Sequence, residues 1–340
     1  MNLELLNEHE LASLRQLISD ACHIVVCCHQ NPDGDAIGAV LAWSEYLRQM
    51  DKDPLMAIPD KYPDFLQWMP NSEKIVRHDK QPERVSTAFT EADLVFCLDF
   101  NRPERMEKMG DLLNGCTATK VMFDHHPDPA IDCTVRVSYP LLSSTCEIVF
   151  RVIWQLGGFE TMNKKIAVPL YCGMMTDTGG FTYNSAQPEI YFIISQLLTK
   201  GIDKDRIYRN VYNNYSEWRI RLIGYVLYQK LQIFRDKHAS YFALSRADLK
   251  RFHFIKGDAE GLVNMPLQIK GMKLSISLRE DTERDNLVWV SLRSVDDFSC
   301  TAIAERWFNG GGHLNASGGR LNCSLEEAER ITREAINAIA

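Results

Sequence analysis

Val121-Met-Phe-Asp-His-His-Pro-Asp-Pro129 carries three apolar residues into Asp124, His125 and His126 and then halts at Pro127. An apolar run closed by a proline predicts a short buried strand, here ending in acid, imidazole, imidazole. Such groups are costly at a core edge unless they are paired or bound to a cation. Taken alone, the run reads equally as a strand cap with two adjacent histidines. The other strand ends decide between the two readings.

Ile24–Cys28 is a second short apolar run, followed by His29-Gln-Asn-Pro-Asp33-Gly-Asp35 and then by the helical pattern Ala36–Leu41. Asp33 and Asp35 suit turn and N-cap positions, but His29 four residues upstream adds an imidazole to the same strand end. Asp93–Phe100 predicts a third strand, with Asp99 near its end, and Leu55–Pro59 a further one. Strands alternating with helical stretches predict βαβ units and a mainly parallel sheet. Ligands in such sheets collect at the carboxyl ends of the strands.

An N-terminal helix is predicted over 7–20, with Asn7 and Glu10 spaced as a capping box. Ser144-Thr-Cys-Glu147 has the same spacing and opens a helix ending near Gly157. Asn163 starts another, with Ile166, Leu170, Tyr171 and Met174 on one face, leading to Asp177 beside Gly179-Gly180. An acid at a helix C-terminus opposes the macrodipole, an objection that a bound cation would remove.

A helix is expected from Ser185 to about Gly201, then further helical chain over 203–233 in which Tyr208, Tyr212, Tyr215 and Trp218 read as packing residues. Strands follow at Ser240–Leu244, Lys273–Leu278 and Leu287–Leu292, with helices at about 258–270 and 300–308. The boundaries read from this pattern are a first domain over 1–190, a helical linker over 191–233 and a second domain over 234–340. Gly310-Gly-Gly-His313, followed by Leu314-Asn-Ala-Ser-Gly-Gly319, holds more glycine than a helix C-cap needs. It suggests backbone lying close to a ligand, with amides able to cradle an anion. Arg293-Ser294, ending an apolar strand, adds a planar cation suited to phosphate. Ser324 and Glu327 cap the final helix.

Length and composition bound the rest. The 340 residues favour two domains, and 45% hydrophobic with 24% charged content is that of an ordinary globular chain. A net charge of −7 argues against a grip on long duplex nucleic acid, while leaving short or mononucleotide ligands open. Ten cysteines with no CxxC pair point to a reducing, cytoplasmic setting. The acidic, interrupted N-terminus does not read as a signal peptide, and no apolar run approaches a membrane span.

His29, Asp33, Asp35, Asp99, His125, His126 and Asp177 form a mixed imidazole and carboxylate set, which suits divalent transition metals such as Mn²⁺. Seven groups exceed the needs of one octahedral ion, and two ions sharing a carboxylate would use them. His29-x-x-x-Asp33-x-Asp35, Asp99, Asp124-His125-His126 and Asp177 resemble the four motifs of the DHH phosphoesterase family. Gly310-Gly-Gly-His313 resembles the signature of its associated C-terminal domain. In length the chain is most similar to the family's oligoribonuclease and 3′-phosphoadenosine-5′-phosphate phosphatase type.

The resemblance implies an α/β fold, with a mainly parallel first domain, a smaller α/β second domain and an active-site cleft between them. It implies two Mn²⁺ ions, with Mg²⁺ or Co²⁺ as substitutes. His29, Asp33 and Asp99 would hold one ion, and Asp35, Asp99, His125 and Asp177 the other. Asp99 would bridge them and so share the catalytic role with His126, which would face the scissile phosphate. Asp124 would support an imidazole. Arg293, Ser294, Gly311, Gly312, His313, Asn315 and Ser317 would contact substrate. The chain departs from the family pattern at Gly180, where an arginine often follows the Asp-Thr-Gly segment.

The expected reaction is hydrolysis of short single-stranded RNA to mononucleotides, exonuclease fashion, and of 3′-phosphoadenosine-5′-phosphate to AMP. No membrane partner is expected, and a homodimer is compatible with the sequence. Phosphodiesterase action on linear or cyclic dinucleotides is the nearest alternative. A non-catalytic nucleotide-binding regulator is the alternative from another class.

Overall fold

The computed structural model describes residues 3–255 and 257–339, which divide into two compact units, the first running through Asn214 and the second beginning at Tyr215. In the first unit six parallel strands form one sheet: β1 (Ile24–Cys27), β2 (Leu55–Ile58), β3 (Val76–Arg77), β4 (Leu94–Leu98), β5 (Thr119–Asp124) and β6 (Val135–Ser138). Their spatial order is β3-β2-β1-β4-β5-β6. The winding therefore reverses between β1 and β4, and ligand-bearing loops diverge at such a switch point.

β1 and β4 are buried along their whole length, as strands covered by helices on both faces must be. Alternation sends Val26, Phe96, Leu98, Val121 and Phe123 into one core and Val25, Cys27, Val95, Cys97 and Met122 into the other. The first core takes Leu14 and Ile18 of α1 (Glu8–Asp20) and nearly all of α2 (Gly34–Arg48), whose Trp43 meets Phe96 and Phe123 edge-on. The second is closed by Val85 and Phe89 of α3 (Pro82–Glu91) and by Met109 and Leu113 of α4 (Lys108–Gly115).

Behind α2 stand α5 (Thr145–Gln155) and α6 (Lys164–Asp177), and the unit closes with α7 (Pro188–Thr199) and α8 (Lys204–Tyr212). The contact of α2 with α6 is unusually close. A Cβ on Gly34 would lie 2.2 Å from Thr176 Oγ1, and one on Gly38 2.6 Å from the Pro169 carbonyl. Absent side chains at these positions let the two helix backbones approach.

The second unit holds α9 (Glu217–Tyr225), continued by a π-helical turn at Val226–Lys230, and a mixed sheet in the order β11-β12-β10-β9-β8-β7. Its strands are β7 (Gln232–Phe234), β8 (Ala239–Leu244), β9 (Leu274–Glu280), β10 (Val288–Ser294), β11 (Gly311–His313) and β12 (Ala316–Leu321). Only β8 and β9 pair in parallel. Helices α10 (Arg246–Arg251), α11 (Cys300–Trp307) and α12 (Leu325–Asn337) complete it.

Several local expectations are corrected. The helix expected at about 258–270 is a 3₁₀ segment, Leu262–Gln268, because Gly261 is left-handed before it and Pro266 interrupts it. The helix expected from Ser185 begins at Pro188, which supplies its first turn. The helical stretch 203–233 already turns into β7 at Gln232. Ser144 caps α5 by accepting from the Glu147 amide, but the Glu147 carboxylate bonds Ser143 instead of the cap residue's own amide. By contrast, the Asn7–Glu10 box on α1 is reciprocal. Among the described residues, no helix is long and apolar enough to cross a membrane.

Candidate metal centre

The loops after β1, β4 and β5 leave the sheet on either side of the switch point, and each carries the residues singled out above. His29 follows β1, Asp33 caps α2 by accepting from the Asp35 and Ala36 amides, and Asp35 sits in the first turn of that helix. Asp99 follows β4 with φ at +65°, a left-handed conformation that a non-glycine residue adopts at some cost and that recurs at functional sites. Asp124 ends β5, and His125 and His126 follow. Asp177 is the last residue of α6, brought to Asp35 by the glycine contacts between α2 and α6.

Two groups of side chains meet at Asp99. His29 Nε2 lies 3.3 Å from Asp99 Oδ2 and 4.0 Å from Asp33 Oδ1. On the other side, His125 Nε2 lies 3.5 Å from Asp177 Oδ2, 3.7 Å from Asp99 Oδ1 and 4.0 Å from Asp35 Oδ2. The donor atoms of His29, Asp33 and Asp99 lie within 4.8 Å of one another, as do those of Asp35, His125 and Asp177. Two atoms ~2.1 Å from one ion must lie between ~3 and ~4 Å apart, so these separations fit shared cations. A third set, Asp99, His125 and His126, overlaps the second.

Backbone carbonyls orient two of the rings. His29 Nδ1 meets the Gln30 carbonyl at 2.7 Å and His125 Nδ1 meets that of Leu142 at 3.3 Å. With Nδ1 donating, Nε2 is the ring atom turned toward the carboxylates, the one that would take a cation once its proton leaves. His126 differs: its Nδ1 is held by Asp124 Oδ1 at 2.7 Å.

The electrostatics describe a site with too much negative charge for its burial. Desolvation, then Asp99 and Asp177, push Asp35 well above the ordinary carboxylate range. Burial likewise lifts Asp177 to about 7. Burial alone would lower His125, but Asp177, Asp99 and Asp35 raise it to about 9. Burial would raise Asp99 too, yet its hydrogen bond and charge interaction with His29, together with His126 and His125, hold it below the usual range. Carboxylates that retain protons and an imidazole that gains one fit a cluster that could hold cations in place of those protons.

Comparison with known proteins gives the family. The sequence model of the DHH family, N-terminal domain, matches residues 23–174. A crystal structure of an exopolyphosphatase-related protein from Bacteroides fragilis is 45% identical, superposes with a TM-score of 0.94, and the match covers 98% of this chain and 97% of that one. The chain belongs to the DHH family. Among its DHH relatives, the bifunctional oligoribonuclease and PAP phosphatase NrnA of Thermus thermophilus is 27% identical, over 92% of this chain and 89% of that protein. The cyclic-di-AMP phosphodiesterase GdpP of Geobacillus thermodenitrificans is 26% identical over 96% of this chain, which spans 49% of its length.

Gly180, the departure from the DHH pattern, has φ at +74°, and a Cβ there would face the rings of Tyr208 and Tyr212 at 3.8 and 4.0 Å. Glycine suits that left-handed position, and the two tyrosines of α8 occupy the adjoining space.

In the second unit, pairing places Arg293, Ala316 and His313 in one rung across β10, β12 and β11. Residues in one rung share a sheet face, so the guanidinium and the imidazole flank a small residue. Ser294 Oγ donates to the Phe298 carbonyl at 2.6 Å and lies 3.0 Å from Asn315 Nδ2, while Ser317 Oγ donates to the His313 carbonyl at 2.9 Å. These three polar side chains bind the hairpin together. Gly311 and Gly312 belong to β11, where a Cβ on Gly312 would lie 2.5 Å from the Ala316 carbonyl. Strand approach therefore accounts for at least part of the glycine content.

Sequence reasoning missed the segment Leu142–Cys146, which touches Asp35, Asp99 and His125. Its residues have no unusual chemistry, and the helix-start spacing at 144–147 was the only local signal.

Proposed function

We propose that this chain is a divalent-cation-dependent phosphoesterase that hydrolyses short RNA oligonucleotides to mononucleotides and 3′-phosphoadenosine-5′-phosphate to AMP. The observation that carries the reading is Asp99, whose two carboxylate oxygens face two separate groups of ligand-type side chains. His29, Asp33 and Asp99 would hold one cation, and Asp35, Asp99, His125 and Asp177 the other, Mn²⁺ suiting this nitrogen and oxygen set with Mg²⁺ or Co²⁺ as substitutes. Bound cations at such a site supply charge neutralisation at phosphate and a water of lowered pKa.

The chain's own residues do the rest. His126, anchored through Nδ1 by Asp124, would meet the substrate through Nε2, hydrogen-bonding the phosphate or protonating the leaving oxygen. Arg293 and His313, sharing a sheet rung, would bind a phosphate or the ribose, with the β11 amides adjoining. The names of the relatives with near full-length matches, oligoribonuclease and PAP phosphatase, support this substrate class. Ten free thiols support a reducing, cytoplasmic setting.

The test is product analysis with Mn²⁺ on 3′-phosphoadenosine-5′-phosphate, a 5′-phosphorylated RNA dinucleotide, cyclic-di-AMP, long single-stranded RNA and an inorganic polyphosphate. Turnover of the first two with little on the rest is expected. Activity confined to cyclic-di-AMP or to polyphosphate would overturn the substrate assignment and keep the two-ion site. No turnover of any substrate under Mn²⁺, Mg²⁺ or Co²⁺, with nucleotide still bound, would make the chain a binding protein. Asp99→Asn should lose at least about 100-fold in turnover together with one ion. Full turnover with full occupancy in that variant would end the bridging assignment.

A further inference from the structure

The start of α5 is built into the metal centre. The Thr145 and Cys146 amides donate to Asp35 Oδ2 and Oδ1 at 2.6 and 2.8 Å. Thr145 Oγ1 donates to Asp99 Oδ1 at 2.9 Å, and the Leu142 carbonyl meets His125 Nδ1. Residues 143–146 are buried throughout. Glu147 locks this turn from behind, accepting from the Ser143 amide at 2.9 Å and the Ser143 hydroxyl at 2.6 Å, while Arg151 Nε donates to its other oxygen at 2.9 Å. Both of these charged side chains are buried, which fixes them in one arrangement.

A carboxylate that serves two cations must keep its plane fixed, yet the second side-chain torsion of aspartate is intrinsically broad. Among the described residues, the ion-pair partners of the Asp99 oxygens are the imidazoles of His29, His125 and His126. Those of His29 and His125 would serve the cations. His126 is 3.7 Å away and its Nδ1 is engaged by Asp124, so the Thr145 hydroxyl, at hydrogen-bond distance, is the one that continues to orient Asp99. The two amides beside it do the same for Asp35, aided by the positive end of α5.

We infer that Thr145 is a positioning residue of the metal centre, turning Asp99 so that Oδ1 serves the Asp35–His125–Asp177 side and Oδ2 the His29–Asp33 side, on a turn held rigid by Glu147 and Arg151. This rests on the two-ion reading above. A merely structural threonine would, when altered, move stability alone; a positioning threonine must also move metal affinity and the coupling between ions.

Thr145→Val removes the hydroxyl at nearly constant shape, and Thr145→Ser restores it. Thr145→Ala, removing the same group without a new contact, replaces Val if that variant does not fold. Mn²⁺ is titrated calorimetrically into the metal-free full chain, spin coupling is read by electron paramagnetic resonance, and kinetics are followed on the substrate the wild type turns over. The valine variant is expected to bind one ion at least about tenfold more weakly, lose spin coupling and drop 10- to 100-fold in kcat with KM within about threefold. Serine should recover all three. Wild-type affinity and coupling in the valine or alanine variant overturn the inference, as does a serine variant as impaired as they are. A wild-type chain that binds fewer than two ions shows instead that the two-ion reading has failed.

Discussion

Asp124, the last residue of β5, holds Nδ1 of His126 at 2.7 Å, so the strand that delivers the ring also sets its tautomer. The carboxylate is fully buried, and its position follows from the register of β5 with β4 and β6.

Asp124→Ala should therefore misorient His126 while leaving the proposed cation ligands in place. Turnover is expected to fall roughly 10- to 100-fold with unchanged Mn²⁺ stoichiometry. Steady-state kinetics beside metal titration will check this. A variant with normal kcat would remove His126 from the reaction.

Metal affinity should depend on pH in a stepped way. In the metal-free protein Asp177 keeps its proton up to about pH 7 and His125 up to about pH 9. A cation must displace both, and Asp35, which burial also raises, and His29, which Asp99 raises against its burial, add to the protons released. Affinity should then rise by at least about 100-fold per pH unit below 7 and at least about tenfold per unit between 7 and 9. Calorimetry in buffers of different ionisation enthalpy counts the released protons directly. A flat affinity across pH 6–9 would contradict the ligand set.

Gly38→Ala should weaken fold and site together. The added methyl would lie 2.6 Å from the Pro169 carbonyl and push α2 from α6, which carry Asp35 and Asp177. A loss of about 1–3 kcal/mol in urea unfolding is expected, with reduced Mn²⁺ affinity. Unchanged affinity despite the destabilisation would show that the site tolerates movement of α2.

Acid should unfold the second unit through two tethered carboxylates. Burial would raise Asp248, but Lys230, Ser245 and Tyr225 bring it down to about 2. Burial would also raise Asp281, which the Arg284 and Glu283 amides and the Trp289 indole hold at about 2. A folded value below the unfolded one means that the stabilisation is present above about pH 4 and disappears as pH falls toward 2. Asp248→Asn should flatten that dependence by about 2 kcal/mol. Urea titrations from pH 6 to pH 2 will show whether it does.

The parts that were legible share a local cause. Apolar runs at 24–28, 93–100 and 120–124 with polar ends became β1, β4 and β5, because a short strand buried on both faces must be continuously apolar. Asn7, Ser144 and Asn163 read as helix starts because a cap is a contact across two or three residues. The hairpin strands β11 and β12 escaped notice, since their glycines resemble loop while serving close strand approach. β6 was missed as well, four residues with an exposed arginine at its second position.

From the sequence alone came the fold class and the set of ligand-type residues, because strand ends and helix caps are written in adjacent positions. Only the tertiary structure shows these side chains within reach of one another. The order β3-β2-β1-β4-β5-β6 places Asp99 between His29 and His125, and the glycine contact of α2 with α6 brings Asp177 to Asp35. The Thr145 bonds to Asp35 and Asp99 span 110 and 46 residues. Bonds that long depend on how helices pack on a sheet, and no local spacing encodes that packing.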